Sequence, residues 1–169
     1  PHRRFTVEMP IPLDIKYGDG RGMVNLYAVS VDRKIEANGT DTRFTVNGTY
    51  DEIVPDSVGP EMFIYLNNPD FKDGQGVNDA PYFYAHLKDA SGINITGNGV
   101  GHDLELIIDG KENTSYNLNT YYQNDFGSYT SGTVAYKIPQ LPDGEHHLMF
   151  RAWDVKNNSS SASLRFVVK

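Results

Sequence analysis

The 169-residue chain contains no cysteine. Disulfides, thiolate metal sites and a cysteine nucleophile are therefore excluded within it. No apolar run approaches the length a membrane helix needs. Positive charge is in the minority: 15 Lys and Arg stand against 22 Asp and Glu, for a net charge of −7. Without clustered Lys and Arg there is no nucleic-acid footprint and no electrostatic pull toward anionic lipid headgroups. A sustained 3.6-residue period is missing as well. The longest segment without turn signals, 111–126, carries four Asn and no apolar stripe, so helix content is expected to be small. The chain opens Pro1-His2-Arg3-Arg4 without Met, which reads as a piece of something longer.

What the chain does have is period-two alternation. Apolar residues alternate at Phe5, Val7 and Met9, and again at Val24, Leu26 and Ala28. Met62, Ile64 and Leu66 share a face, as do Phe83, Ala85 and Leu87, and Leu104, Leu106 and Ile108. Val134, Tyr136 and Ile138 follow. His146, Leu148, Phe150 and Ala152 form another face, and Leu164, Phe166 and Val168 the last. Turn signals lie between the runs: Gly18-Asp19-Gly20, Asn38-Gly39, Asn47-Gly48, Asp73-Gly74, Asp109-Gly110, Pro142-Asp143-Gly144 and Asn157-Asn158. The expected class is all-β. Pro55, Gly59 and Pro60 interrupt strand pairing and mark a linker at 55–59. About seven strands follow at sandwich-like spacing in 60–169. Residues 1–54 hold only three or four, too few to bury two faces. They read as the last strands of a truncated β-domain or as a smaller β-subdomain before the sandwich.

Two segments carry a recognisable pattern. Leu141-Pro142-Asp143-Gly144-Glu145-His146-His147-Leu148-Met149-Phe150-Arg151-Ala152-Trp153-Asp154 runs into Val155-Lys156-Asn157-Asn158-Ser159-Ser160, and Lys88-Asp89-Ala90-Ser91-Gly92-Ile93-Asn94 forms a loop. Both resemble the punctuation of bacterial immunoglobulin-like repeats. Asp154 is suited to cap its turn through an Asx bond, and Asn157 or Asn158 tolerates the left-handed conformation of a tight hairpin. Further strings add to the likeness. They are Ile11-Pro12-Leu13-Asp14-Ile15, Asp56-Ser57-Val58-Gly59-Pro60-Glu61, Gly97-Asn98-Gly99-Val100-Gly101-His102-Asp103-Leu104 and Gly127-Ser128-Tyr129-Thr130-Ser131-Gly132-Thr133-Val134. Together they resemble the β-rich region after the peptidase domain in PorU-type members of the gingipain family. Those cysteine peptidases serve as the sortase of type IX secretion in Bacteroidetes.

The resemblance implies an immunoglobulin-like sandwich, a bacterial cell-surface, outer-membrane-associated or periplasmic location, and protein partners: the parent's own peptidase domain and the secretion machinery. Its catalytic Cys and His lie in a caspase-like α/β domain that has no counterpart in this sequence. The implied role is accessory, and no catalytic residue is assigned.

Other candidates come from the residues themselves. Asp70, Asp73, Asn78 and Asp79 gather oxygen ligands of the kind calcium takes, but without EF-hand spacing and with Lys72 among them; turn capping is the alternative. Asp89, Asp154 and Asn157 form a second inter-loop candidate. Tyr121, Tyr122 and Tyr129 belong to an aromatic-rich stretch that would bind a glycan if the rings formed an exposed row, or fill the core if not. His102 precedes a strand as a cation ligand, a base or a hydrogen-bonded strand-mouth residue. His146 and His147 point to opposite faces and cannot chelate together. Asn-x-Ser/Thr triplets stand at Asn38, Asn47, Asn94, Asn113, Asn157 and Asn158. Asp56-Ser57-Val58 fits the O-glycosylation pattern of the resembled phylum. Trp153, alternating with inward Ala152, is expected on the outer face of its strand beneath a covering segment.

Overall fold

Strand periodicity becomes two sheets facing one another. The structure, a computed structural model, describes residues 6–16, 18–48, 54–97, 101–110 and 114–169. The strands are β1 Val24–Val29, β2 Glu36–Asp41, β3 Glu61–Leu66, β4 Gly76–Val77, β5 Tyr82–Lys88, β6 Glu105–Ile108, β7 Ser115–Asn117, β8 Tyr122–Asn124, β9 Ser131–Lys137, β10 Gly144–Trp153 and β11 Ser159–Val168. Among the described residues 45 % lie in strands and 3 % in helix. A 3₁₀ turn spans Asn119–Tyr121. Among the described residues no helix is long and apolar enough to cross a membrane.

By its contacts the chain divides into Pro1–Ile15 with Asp56–Lys169, and Lys16–Pro55. The larger unit is a β-sandwich. One sheet has the order β4-β11-β10-β6-β7 and the other β3-β5-β9-β8. All pairs are antiparallel except β4 with β11. The inward rows are those of the sequence pattern: Leu148, Phe150 and Ala152 from β10, Leu106 and Ile108 from β6, Phe166 and Val168 from β11, facing Ile64, Leu66, Phe83, Ala85, Leu87 and Val134. Phe83 and Phe150 meet across the core, with ring centroids 5.1 Å apart. Burial of these side chains is the main stabilising term.

Long β10 and β11 pair in register from Gly144↔Val168 to Trp153↔Ser159. Their hairpin closes through Asp154, whose carboxylate accepts from Lys156 N (2.9 Å), Asn158 N (2.7 Å) and Asn158 Nδ2 (2.8 Å). Asn157 takes the left-handed position, φ 68°. The β6–β7 connection turns at Asp109-Gly110, with φ of 56° and 64°, as a turn with two left-handed residues demands. On β9, Gly132 has no room for a side chain: a Cβ there would strike the Tyr122 ring and Gln123 O.

Three local expectations differ from the structure. Asn38-Gly39 is not a turn but lies mid-strand in β2, opposite Tyr27 and Leu26. The hairpin reverses instead at 30–35, where Ser30 N donates to Ile35 O (2.8 Å) and Asp32 accepts from Ser30 Oγ (2.6 Å). Val7 and Met9 alternate but form no strand, and both are exposed; Phe5 lies outside the described residues. Prolines at 10 and 12 lack the N–H that a ladder needs. The segment 111–126, which offered no pattern, supplies two three-residue strands and the 3₁₀ turn, so the sandwich has nine strands rather than about seven.

The unit 16–55 is one layer. β1 and β2 pair from Val24↔Asp41 to Val29↔Glu36, extended by an Arg21↔Thr45 bridge.

Candidate functional site

At one end of the sandwich, three loops converge. Loop 89–94 is held by Asp89 N to Thr130 O (2.8 Å), Asn94 N to Trp153 O (2.9 Å) and Val155 N to Gly92 O (3.0 Å). The 154–158 hairpin and Asp56 complete the cluster. Carboxylate oxygens of Asp56, Asp89 and Asp154 lie within 4.8 Å of one another. Each of the three carboxylates already accepts hydrogen bonds from the protein. Asp56 accepts from Ser91 Oγ (2.6 Å) and Val58 N (3.2 Å), and Asp89 from Ser91 N (2.7 Å); Asp154 caps its turn as described. The Lys156 ammonium stands 3.9 Å from Asp56.

Burial, with the Asp154 and Asp56 charges behind it, pushes the Asp89 carboxyl above its usual range. The Ser91 hydroxyl bond holds Asp56 below its own. The second inter-loop candidate thus comes together in part: Asp89 and Asp154 join Asp56, while Asn157 Oδ1 is buried with no hydrogen-bond partner. The arrangement ties loops together.

The first calcium candidates are spread over different partners. Asp73 is clasped by Arg165, from its N (2.6 Å), Nε (3.0 Å) and Nη2 (2.7 Å). Asn78 Oδ1 accepts from Asn67 (3.0 Å), and Asp79 from Gln140 (2.8 Å). Asp70 is exposed. None of these four belongs to the one described group of clustered metal-ligating side chains.

The tyrosines do not form a row. Tyr122 is buried in the core against β9, and burial drives its phenol far above the usual range. Tyr121 is half exposed and meets Tyr136 edge-on at 4.9 Å. Tyr129 is half-buried. The sequence reading passed over a different aromatic array, on the outer face of β3 and β5. There Tyr65 stacks on Tyr84 (5.1 Å) and His86 (5.8 Å), flanked by Phe63 and Tyr82. Alternation within Glu61–Leu66 and Tyr82–Lys88 could have shown it, since the residues between the core positions are aromatic too.

Three of the four described histidines, His86, His102 and His146, have side-chain partners. His102 Nδ1 donates to Asp14 Oδ2 (3.1 Å), and its ring lies 4.4 Å from that of Trp153. Asp14 sits in the 6–15 segment, which is also held by Leu13 N to Val155 O (2.8 Å). Trp153 is accordingly outward and partly covered. His146 places Nδ1 2.9 Å from Asp109 Oδ2 and Nε2 2.8 Å from Pro142 O. His147 is exposed. His86 lies between Tyr65 and Thr133. No serine approaches any of these histidines within hydrogen-bond distance among the described residues.

Of the glycosylation triplets, Asn38 and Asn47 are exposed, Asn94 is fully buried, and Asn157 and Asn158 are half-buried in the 154–158 hairpin. Asn113 lies outside the described residues. Ser57 is exposed.

No protein-family model and no curated protein matches the chain. Among solved structures it is similar to dimeric latent PorU from Porphyromonas gingivalis, with 38 % identity and a TM-score of 0.68 over 95 % of this chain. The match spans 15 % of that protein's chain. An endo-beta-1,4-mannanase from Thermotoga petrophila aligns over 64 % of this chain and 20 % of its own at 15 % identity and a TM-score of 0.41, too slight a likeness to carry an argument.

Proposed function

The chain has the sequence and fold of a PorU-type region, and from that premise we propose that it is a non-catalytic structural module of a larger cell-surface cysteine peptidase. The observation that carries this reading is the pairing of nearly full coverage of this chain with 15 % coverage of the relative. A β-sandwich without cysteine cannot supply a cysteine nucleophile, so the chemistry falls to another part of the parent. The parent is read as a gingipain-like sortase of type IX secretion, at the bacterial cell surface, on the outer membrane or in the periplasm. The module's work is to orient the peptidase domain and to contact that domain and the secretion machinery. Its immunoglobulin-like character belongs to the same proposal.

The full reading frame tests the reading first: a caspase-like domain upstream of 1–169 is expected, and its absence would remove the parent from the argument. The second test is enzymatic. The purified chain should leave Arg- and Lys-specific reporter peptides uncut, and cleavage that co-purifies with the chain would overturn the assignment.

A further inference from the structure

The strongest unassigned chemistry in the molecule is at an asparagine. Asn-Gly occurs at Asn38-Gly39, Asn47-Gly48 and Asn98-Gly99; the last lies outside the described residues. A side-chain amide followed by glycine is open to attack by the next backbone nitrogen, because glycine offers no side chain to block the approach. Whether the attack happens depends on how firmly the backbone is held, and the two described sites differ in that respect.

Asn38 and Gly39 sit inside β2, in register with Tyr27 and Leu26. Asn47 and Gly48 follow the last bridge of the hairpin, Arg21↔Thr45. Both are exposed. Gly48 has φ 86°, with open space where a side chain would stand. Among the described residues, the Gly48 N–H donates to no backbone carbonyl and no hydrogen bond to the Asn47 side chain holds it back. We propose that Asn47 is a site of spontaneous deamidation, with water as the only co-reactant, and that Asn38 is protected from the same reaction by its strand.

The chemistry balances without any redox change. The Gly48 backbone nitrogen loses its proton to base and bonds to Asn47 Cγ, and the bond from Cγ to the side-chain nitrogen breaks, releasing ammonia. The resulting cyclic imide takes up water at one of its two carbonyls. Opening on the side-chain side leaves aspartate. Opening on the main-chain side leaves isoaspartate, which carries the backbone through the former side chain. Either product adds one negative charge to an already acidic chain. Isoaspartate also lengthens the backbone immediately after the hairpin.

The test is incubation of the whole chain in ¹⁸O-water at neutral and at mildly alkaline pH. Peptide mapping follows, with isoaspartyl methyltransferase to separate the two products. Asn47 is expected to convert severalfold faster than Asn38, Asn157 or Asn158, faster at the higher pH, with one heavy oxygen incorporated. Asn47→Gln should abolish the conversion at that position and leave the rate at Asn38 unchanged. Gly48→Ala should slow it strongly; since alanine is strained at that φ, the Asn47→Gln variant serves as the control that leaves the backbone alone. Equal rates at Asn38 and Asn47, or conversion at Asn47 without ¹⁸O, would overturn the proposal. The peptide holding Asn98-Gly99 is scored separately.

Discussion

The sandwich and the 16–55 hairpin use the same alternating sequence pattern and reach opposite outcomes. In the sandwich every inward row meets a second sheet, and Leu66, Phe83, Leu106, Leu148 and Phe150 lose all contact with water. In the 16–55 unit, Val24, Leu26 and Ala28 share a face with Ala37 and Gly39, but the unit has one layer. Met23 remains 64 % exposed, Tyr27 66 % and Ile35 70 %. Alternation therefore specifies that a strand has two faces, and a second layer is needed before either face stabilises anything. A two-stranded sheet is marginal in water on its own. Its order rests on local bonds, such as Ser30 to Asp32 and Phe44 packed over Gly22.

The comparison breaks most visibly at Phe150. Phe150→Ala should cost about 3–5 kcal/mol, a large part of an ordinary domain's roughly 5–15 kcal/mol, read as a lower urea midpoint with an unchanged slope. Met149→Ala and Arg151→Ala, on the outer face of β10, should shift the midpoint less. Equal losses for all three would mean that β10 is buried on both faces.

Next in size is the hairpin cap. Asp154→Ala leaves Lys156 N and Asn158 N without their acceptor in a buried turn and should cost about 1–3 kcal/mol. Asp154→Asn, which keeps an acceptor oxygen, should recover part of that loss in the same thermal melt.

A smaller effect is expected from pH. Burial raises the Asp89 carboxyl above its unfolded value of 3.8 in the folded state. The folded chain then holds that proton more tightly than the unfolded one. Stability from this group is present below the unfolded value and is lost as pH rises through the folded one. Asp89→Asn should remove that fall, so the difference between variant and parent stability should grow in the variant's favour across the window above pH 3.8. A difference independent of pH would mean that neither burial nor the neighbouring carboxylates raise the Asp89 carboxyl.

The smallest change should come from the hairpin. Leu26→Ala removes a side chain that is 44 % exposed in a single-layer sheet, and should move the global midpoint by no more than about 0.5 kcal/mol. Amides of Val24–Val29 should exchange with deuterium far sooner than those of Gly144–Trp153. Comparable protection in the two strands would show that the hairpin has a cover of its own.

The sequence by itself determined the class of the fold and much of its detail. Period-two runs placed Met62 to Leu66, Phe83 to Leu87 and His146 to Ala152 on the faces they occupy, because strand sidedness is a local consequence of the pleat. Asp154 was legible as the cap, and Asn157 or Asn158 as the left-handed residue, for the same local reason, and Asn157 is the one that takes that conformation. The absence of cysteine excluded disulfides and a cysteine nucleophile within the chain.

What only the tertiary structure decided was which groups meet. Asp56 reaches Asp89 and Asp154, His102 reaches Asp14 from 88 residues away, and Asp73 reaches Arg165. Spacing along the chain carries no information about such pairs. The same holds for Asn38-Gly39, whose turn chemistry yields to the ladder with β1. It holds also for Tyr122, which fills space above Gly132 that a side chain on β9 would have taken. Local propensities amount to a few tenths of a kcal/mol to about 1 kcal/mol per residue. Burial of one aromatic ring exceeds that, so packing decides wherever the two disagree.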